Sequence, residues 1–236
     1  MQITQDLTWL QAARGTGILS KLSDPLLETV LKSSHRVEYA AGAIALRWDE
    51  TPRAAIVVRG AMRGFIMFPD GTQATTRYLK PGDLTGVFAA RSPRIARAVQ
   101  AIEPSELLFV DAGRIKDLAL AEPSFAWTLI EELTTVLNSA HRALYIRAFG
   151  SVRQRVACAI LERAEISGCL ESGCRLAGTQ VELAAAVGSV REVVASALHA
   201  LKREGILDIS RGGVVVLDPK RLADEANLGL GAGLES

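Results

Sequence analysis

A chain of 236 residues with 49% hydrophobic and 22% charged residues has the balance of one large folded domain or two small ones, not of a disordered segment. Its 27 Lys and Arg against 26 Asp and Glu leave a formal charge of +1, so no bulk electrostatic argument points to nucleic acid and local pattern has to carry one. No apolar run approaches the ~18 residues a membrane helix needs. MQITQDLTWLQ lacks the basic-then-apolar order of a secretory signal, and three cysteines are too few, and odd in number, for a disulfide framework; a cytoplasmic protein is expected.

In chain order, Asp24–Lys32 reads as a short helix with Asp24 as N-cap and Pro25 at its first position. Short β-type runs follow, each closed by a turn signal: Arg36–Tyr39, Ala54–Arg59, Arg63–Phe68, Gln73–Leu79, Ala96–Ala101 and Leu107–Asp111. Pro69-Asp70-Gly71 between two of them predicts a hairpin, because glycine takes a positive φ at little cost. Strands so short and evenly spaced predict an antiparallel roll or sandwich.

Near residue 111 the period becomes helical. Ile130, Leu133, Leu137, Ala140 and Leu144 recur at 3,4,3,4 spacing, the apolar seam of a coiled coil, in a helix of roughly 25 residues entered near Pro123. A seam so narrow on a helix so long predicts pairing with a second copy across a two-fold axis. Gly150 breaks the pattern, and Val152, Val156, Ile160 and Leu161 open another amphipathic helix. The expected division is a β-roll with N-terminal helices over 1–111, a linker and dimerisation helix over 112–149, and a second, C-terminal domain with a flexible Gly-rich tail over 150–236.

The most specific stretch runs from Thr179 to Gly205. Thr179-x-x-Glu182 has the form of a capping box, Gly188 can end a helix in the left-handed conformation, and Ser189-x-x-Glu192 has the form of a second box opening a longer helix. Leu183, Val187, Val194 and Leu198 would fill the core between the two helices. That is a helix-turn-helix, and the β-type runs Ile206–Ser210 and Val214–Leu217 around Arg211-Gly212-Gly213 add a wing.

A second helix lying in the major groove would face base edges with Ser189, Val190, Arg191, Glu192, Ala195 and Ser196. Arg191 can pair bidentately with guanine, and Glu192 can accept from cytosine. Glu192 is also the third residue of the second capping box, and one carboxylate cannot fully serve both ends. Thr179, Gln180, His199, Lys202 and Arg211 suit phosphates, which set register, not sequence.

On these residues the chain resembles the Crp/Fnr family of bacterial transcription regulators from about Asp24 to Asp218. VVRGAMRGFI, the Pro69-Asp70-Gly71 turn and YLKPGDLTG resemble its sensor roll. RAFGSVRQRVACAILERA resembles its hinge and first DNA-domain helix, and GSVREVV its recognition helix. The resemblance implies an α+β fold with an N-terminal cyclic-nucleotide-binding-like β-roll, a long dimerisation helix and a C-terminal winged helix-turn-helix. It also implies double-stranded DNA, a second copy and RNA polymerase as partners, with no membrane role.

The departures are specific. Where cyclic-AMP-binding members carry a Glu after the glycine of the GDxxGE segment, this chain has Val87. Their Arg-Ser pair is unmatched in RIARAV, where Arg97 has no adjacent Ser, and their Thr-Ser on the dimer helix becomes Ala140-His141. These argue against cyclic AMP. The N-terminal cysteine cluster of iron–sulfur members is absent, and a single His141 is a weak basis for haem. The second basic base-reader of the recognition helix is Ser196 here, so the operator is expected to differ from the family's.

An effector pocket, if the roll holds one, would draw on Gly82, Asp83, Gly86, Val87, Arg91, Arg94, Arg97 and His141. Cys169 and Cys174 read as free thiols, with a redox pair as the alternative, and two cysteines alone make no zinc site. No nucleophilic triad, paired carboxylates or phosphate-cradling glycine loop points to an enzyme. The competing class is a ligand- or redox-sensing roll acting through protein contacts without reading DNA.

Overall fold

The computed structural model describes residues 17–32, 34–47, 53–69, 71, 73–86, 96–210 and 212–227. Val87, Arg91, Arg94, Arg211, Asp70 and the Gly-rich tail lie outside these residues. The described elements begin with α1 (Gly17–Ser20) and α2 (Asp24–Lys32). The Leu27 N–H bonds the Ser23 carbonyl at 2.9 Å, so Ser23 caps α2 and Asp24 is its first helical residue, one position earlier than the sequence suggests. Strands follow: β1 (His35–Tyr39), β2 (Ile44–Arg47), β3 (Ala54–Arg59), β4 (Met62–Met67), β5 (Gln73–Leu79), β6 (Leu84–Thr85), β7 (Ala96–Ala101) and β8 (Ser105–Val110).

These form two four-stranded sheets of order β1-β8-β3-β6 and β2-β7-β4-β5, whose registered pairs are antiparallel. Alternation along β3 explains its unbroken apolar run. Ala54, Ile56 and Val58 join one core with Leu27, Val30, Ile115, Phe125 and Leu129, while Ala55 and Val57 join a second with Met62, Val99 and Leu79. β8 splits the same way, Leu108 and Val110 against Leu107 and Phe109. Both faces of this sheet are covered, so its central strands carry no polar alternation.

Two helices leave the roll, α3 (Ala112–Ala121), capped by Asp111 on the Arg114 N–H at 2.9 Å, and α4 (Pro123–Phe149). The 27 residues of α4 rise about 40 Å at 1.5 Å each. After Gly150, Ser151 opens α5 (Val152–Ile166) through a capping box with Gln154. Then come β9 (Arg175–Ala177), α6 (Gln180–Val187), α7 (Arg191–Arg203), β10 (Leu207–Ser210), β11 (Gly213–Val216) and α8 (Pro219–Ala226). By their contacts the described residues fall into two units: those up to Met67 with Leu79–Ser139, and Phe68–Tyr78 with those from Ala140 onward. In the second, α5 is the central helix: Val156, Ala157, Ile160 and Ala164 pack with Leu183, Val194, Leu198, Leu201, Leu207 and Leu222.

Candidate nucleic-acid interface

The first helix of the motif is set by its ends. Thr179 accepts from the Glu182 N–H at 3.1 Å, and Glu182 accepts from the Thr179 N–H at 2.8 Å, the reciprocal box its sequence implies. At the other end Gly188 adopts φ 64° and ψ 51°, and the N–H groups of Gly188 and Ser189 both turn back to the Ala184 carbonyl.

This ending overturns the second capping box. Ser189 is spent in closing α6, so the chain enters α7 through Val190, extended at φ −88° and ψ 152°, which offers no side-chain cap. Glu192 is therefore released from the competing role that the sequence suggests for it.

Val194, Ala197, Leu198 and Leu201 bury one face of α7, and Arg191, Glu192, Ser196 and His199 are exposed on the other, with Ala195 half-buried among them. Val190 is 60% exposed and Ser189 half-buried. Among the described residues no side-chain hydrogen bond or ion pair engages Arg191, Glu192, Ser196 or His199. The first turn of α7 thus presents a guanidinium and a carboxylate at the positive end of a helix dipole, and the Ser196 hydroxyl follows in the second turn.

The phosphate candidates are less uniform. Thr179 is exposed, but its hydroxyl oxygen caps α6, and Gln180 is half-buried. Lys202 is paired with Asp208 at 2.6 Å, and that hydrogen bond holds the Asp208 carboxyl below the usual range. The wing is three-stranded, of order β10-β11-β9, with Leu207 opposite Val216 and Gly213 opposite Ala177. Strand β9 goes unread in the sequence because three residues carry no period. Gly213 is required there: a Cβ would strike the Leu176 carbonyl.

Two arginines that sequence reasoning passes over hold the motif from below. Arg155 on α5 donates to the carbonyls of Val187 and Gly188, and Arg147 at the end of α4 donates to the carbonyls of Thr75 and Ala186. Burial first, and the like charge of Arg155 second, lower the pKa of Arg147. Their partners are backbone carbonyls, so no residue pattern could have announced them.

Elsewhere, Ile130, Leu133, Leu137, Ala140 and Leu144 are all exposed along α4, together with Trp127. Gly82, Asp83 and Gly86 serve the roll's own backbone. Gly82 donates to the Val57 carbonyl, Asp83 accepts from the Lys80 N–H, and a Cβ on Gly86 would meet the Arg53 carbonyl. Arg97 lies on β7 opposite Ile66, and His141 is exposed on α4. The cysteine reading is corrected: Cys169 and Cys174 are joined by a disulfide, and Cys158 is the free thiol, buried. Among the described residues no helix is long and apolar enough to cross a membrane.

Fold and site together define a DNA-binding transcription regulator built on a winged helix-turn-helix. A family description, the Crp-like helix-turn-helix domain, matches residues 154–225. The chain is 31% identical to the transcriptional regulator SdrP of Thermus thermophilus, over 74% of this chain and 84% of that protein. To the Cyclic AMP receptor protein of the same organism it is 30% identical, over 90% and 98%. The crystal structure of a Crp/Fnr-family transcriptional regulator from Thermus thermophilus aligns at 30% identity with a TM-score of 0.68, covering 81% of this chain and 98% of that one. This chain belongs to the Crp/Fnr family and is a DNA-binding regulator of that type.

Proposed function

We propose that the regulator works as a homodimer on a pseudo-palindromic promoter site, with two copies of α7 entering major grooves about 34 Å apart. The observation that carries this is the unpartnered apolar stripe on α4, whose Leu133, Leu137 and Leu144 are 42%, 54% and 66% exposed. An exposed seam of that length on a long helix asks for a partner helix. In this reading residues 1–111 sense, 112–149 pair the subunits, and 150–236 bind DNA. Arg191 and Glu192 read bases with Ser189, Val190, Ala195 and Ser196, while Thr179, Gln180, His199, Lys202 and Arg211 hold phosphates. Lys202 reaches DNA by exchanging Asp208 for a phosphate.

Cyclic AMP is not its effector. Support comes from Ala140 and His141, which offer the adenine side no hydroxyl pair, and from Val87 in place of a ribose-binding carboxylate. Any anion held by the roll would meet Arg91, Arg94 and Arg97. The protein is cytoplasmic, contacts RNA polymerase when bound at a promoter, and catalyses no reaction.

A gel-shift screen of the source genome's promoter fragments at ~150 mM salt, with and without cyclic AMP, tests the reading. Selected fragments should shift in preference to random duplex, with no gain from the nucleotide. A dimer-sized complex that prefers no fragment would sink sequence-specific binding, and a tenfold gain from cyclic AMP would sink the effector reading.

A further inference from the structure

The disulfide lies in the second unit, where nothing in the DNA-reading motif uses it. Cys169 ends α5: Gly168 takes φ 62°, and the Cys169 N–H returns to the Ala164 carbonyl at 2.9 Å. Cys174 lies one residue before β9 and is 2% exposed, with its carbonyl accepting from the Val216 N–H at 2.8 Å. Gly173 bonds the Val216 carbonyl at 2.8 Å, and the Ser172 hydroxyl bonds that of Leu217 at 2.7 Å. The two Cα atoms stand 5.6 Å apart, within the range a disulfide needs. Both cysteines are thus placed by backbone features independent of the bond, one by a helix end and one by the wing sheet. We infer that Cys169 and Cys174 form a reversible thiol–disulfide site, oxidised by hydroperoxides and reduced by dithiols, whose bond staples the wing sheet to the end of α5.

The chemistry balances. One thiolate attacks a hydrogen peroxide oxygen, giving a sulfenic acid and, after proton transfer, water. The second sulfur displaces the sulfenic oxygen, which leaves as a second water as the S–S bond forms, so two electrons pass from the pair to the peroxide. In the return direction a dithiol thiolate attacks the half-exposed Cys169 sulfur and Cys174 leaves and is protonated. The reductant's second thiol then closes on the mixed disulfide and frees Cys169. Neither thiolate is favoured in the reduced pair, since Cys169 sits at the carbonyl end of a helix and Cys174 is buried. Oxidation by peroxide is therefore slow, and the closed bond yields only to strong dithiols. Cys158 stays out of this exchange: it is buried, its thiol donates to the Ala226 carbonyl at 3.3 Å, and burial pushes its pKa up to about 11.

What the bond controls is the wing. Strand β9 has three residues, paired to β11 through Ala177, Leu176 and Arg175, and it leads within two residues to the Thr179 cap of α6. With the bond open, the strand keeps these pairs, the flanking bonds of Ser172, Gly173 and Cys174 and the buried Leu176, but loses its covalent tie to the end of α5.

The test uses the full chain without DNA, so it can fail while the DNA-binding reading stands. Protein treated with hydrogen peroxide, then with dithiothreitol, is denatured and alkylated for mass analysis, and hydrogen exchange is followed in parallel. Expected are one adduct, at Cys158, after peroxide and three after dithiothreitol, with residues 170–177 and 207–216 exchanging about threefold faster or more once reduced. Cys169→Ser, at the half-exposed position, should exchange like the reduced protein under both treatments, and Cys174→Ala should repeat that behaviour. A bond that survives millimolar dithiothreitol in the native protein would overturn the inference. So would sulfinic acid or intermolecular dimers in place of the internal bond, or wing exchange indifferent to redox state.

Discussion

Arg155 donates to the carbonyl of Val187 at 2.9 Å and reaches that of Gly188 at 3.3 Å, so a cation on α5 closes the C-terminal end of α6. Helix ends leave carbonyls unsatisfied and carry partial negative charge, and this guanidinium answers both. The same bond fixes the turn from which α7 departs. Arg155→Ala should cost about 1.5–3 kcal/mol in urea unfolding of the second unit, the range for a charge-assisted hydrogen bond. Arg155→Lys should recover part of that. A loss below about 0.5 kcal/mol would mean that water caps α6 equally well.

Gly188 sets the same turn by a different means. A Cβ there has room, its nearest neighbour being Arg147 Nε at 4.0 Å, but φ is +64°. Gly188→Ala should therefore cost roughly 1–2 kcal/mol through backbone strain alone, and Gly188→Asn less, since asparagine tolerates that region. Thermal unfolding of the pair separates strain from crowding: crowding would make the larger Asn the worse of the two.

How far the sequence carries depends on the length over which a pattern repeats. The unbroken apolar runs of central strands β3 and β8 and the helical period of the 27-residue α4 are long enough to be legible, and their bounds are close to those read from sequence. The two residues of β6 and the three of β9 are held in place by partners distant in sequence and could not be read locally. Thr179-x-x-Glu182 and Ser189-x-x-Glu192 look alike as strings, yet only the first caps a helix. The left-handed Gly188 commits the Ser189 N–H to Ala184, and the helix then opens at Val190. Whether Cys169 and Cys174 meet depends on where the wing sheet places Cys174, which spacing alone does not contain. The exposed side of α7 follows from the 3.6-residue period once its buried side is known.

Glu162 gives a pH dependence of known sign. Burial raises its pKa above the usual carboxylate range, and Arg142, 3.9 Å away, offsets only part of that. A raised carboxyl pKa in the folded state stabilises the protein below the unfolded pKa, and that contribution is lost as pH rises through the folded value. Glu162→Gln should therefore raise the melting temperature at pH 7, and the gain should vanish toward pH 4. A variant less stable than the parent at pH 7 would show that the ion pair with Arg142 outweighs desolvation.

Arg191 is exposed, unengaged and at the N-terminal turn of α7. Arg191→Ala should cost roughly 1–3 kcal/mol on the preferred DNA site and relax selectivity at one base pair per half-site, with the salt slope little changed. Competition against a library of single-base variants of that site reads this directly. An equal loss on every sequence, with a shallower salt slope, would assign Arg191 to a phosphate.

The apolar stripe of α4 allows the most direct test of assembly. Leu133 and Leu137 lie four residues apart and are both exposed, as are Ile130 and Leu144 on the same stripe. A carboxylate placed at the centre of a paired seam would be desolvated with no counter-charge, a cost that a pairing of this size cannot absorb. On an unpaired helix the same substitution is a surface change worth within about 0.5 kcal/mol. Leu137→Glu should thus leave circular dichroism and unfolding of the protomer nearly unchanged while sedimentation shifts from dimer to monomer. DNA affinity should fall by orders of magnitude, because two half-sites are no longer engaged together. A Leu137→Glu protein that sediments as a dimer would place the two-fold contact on another surface.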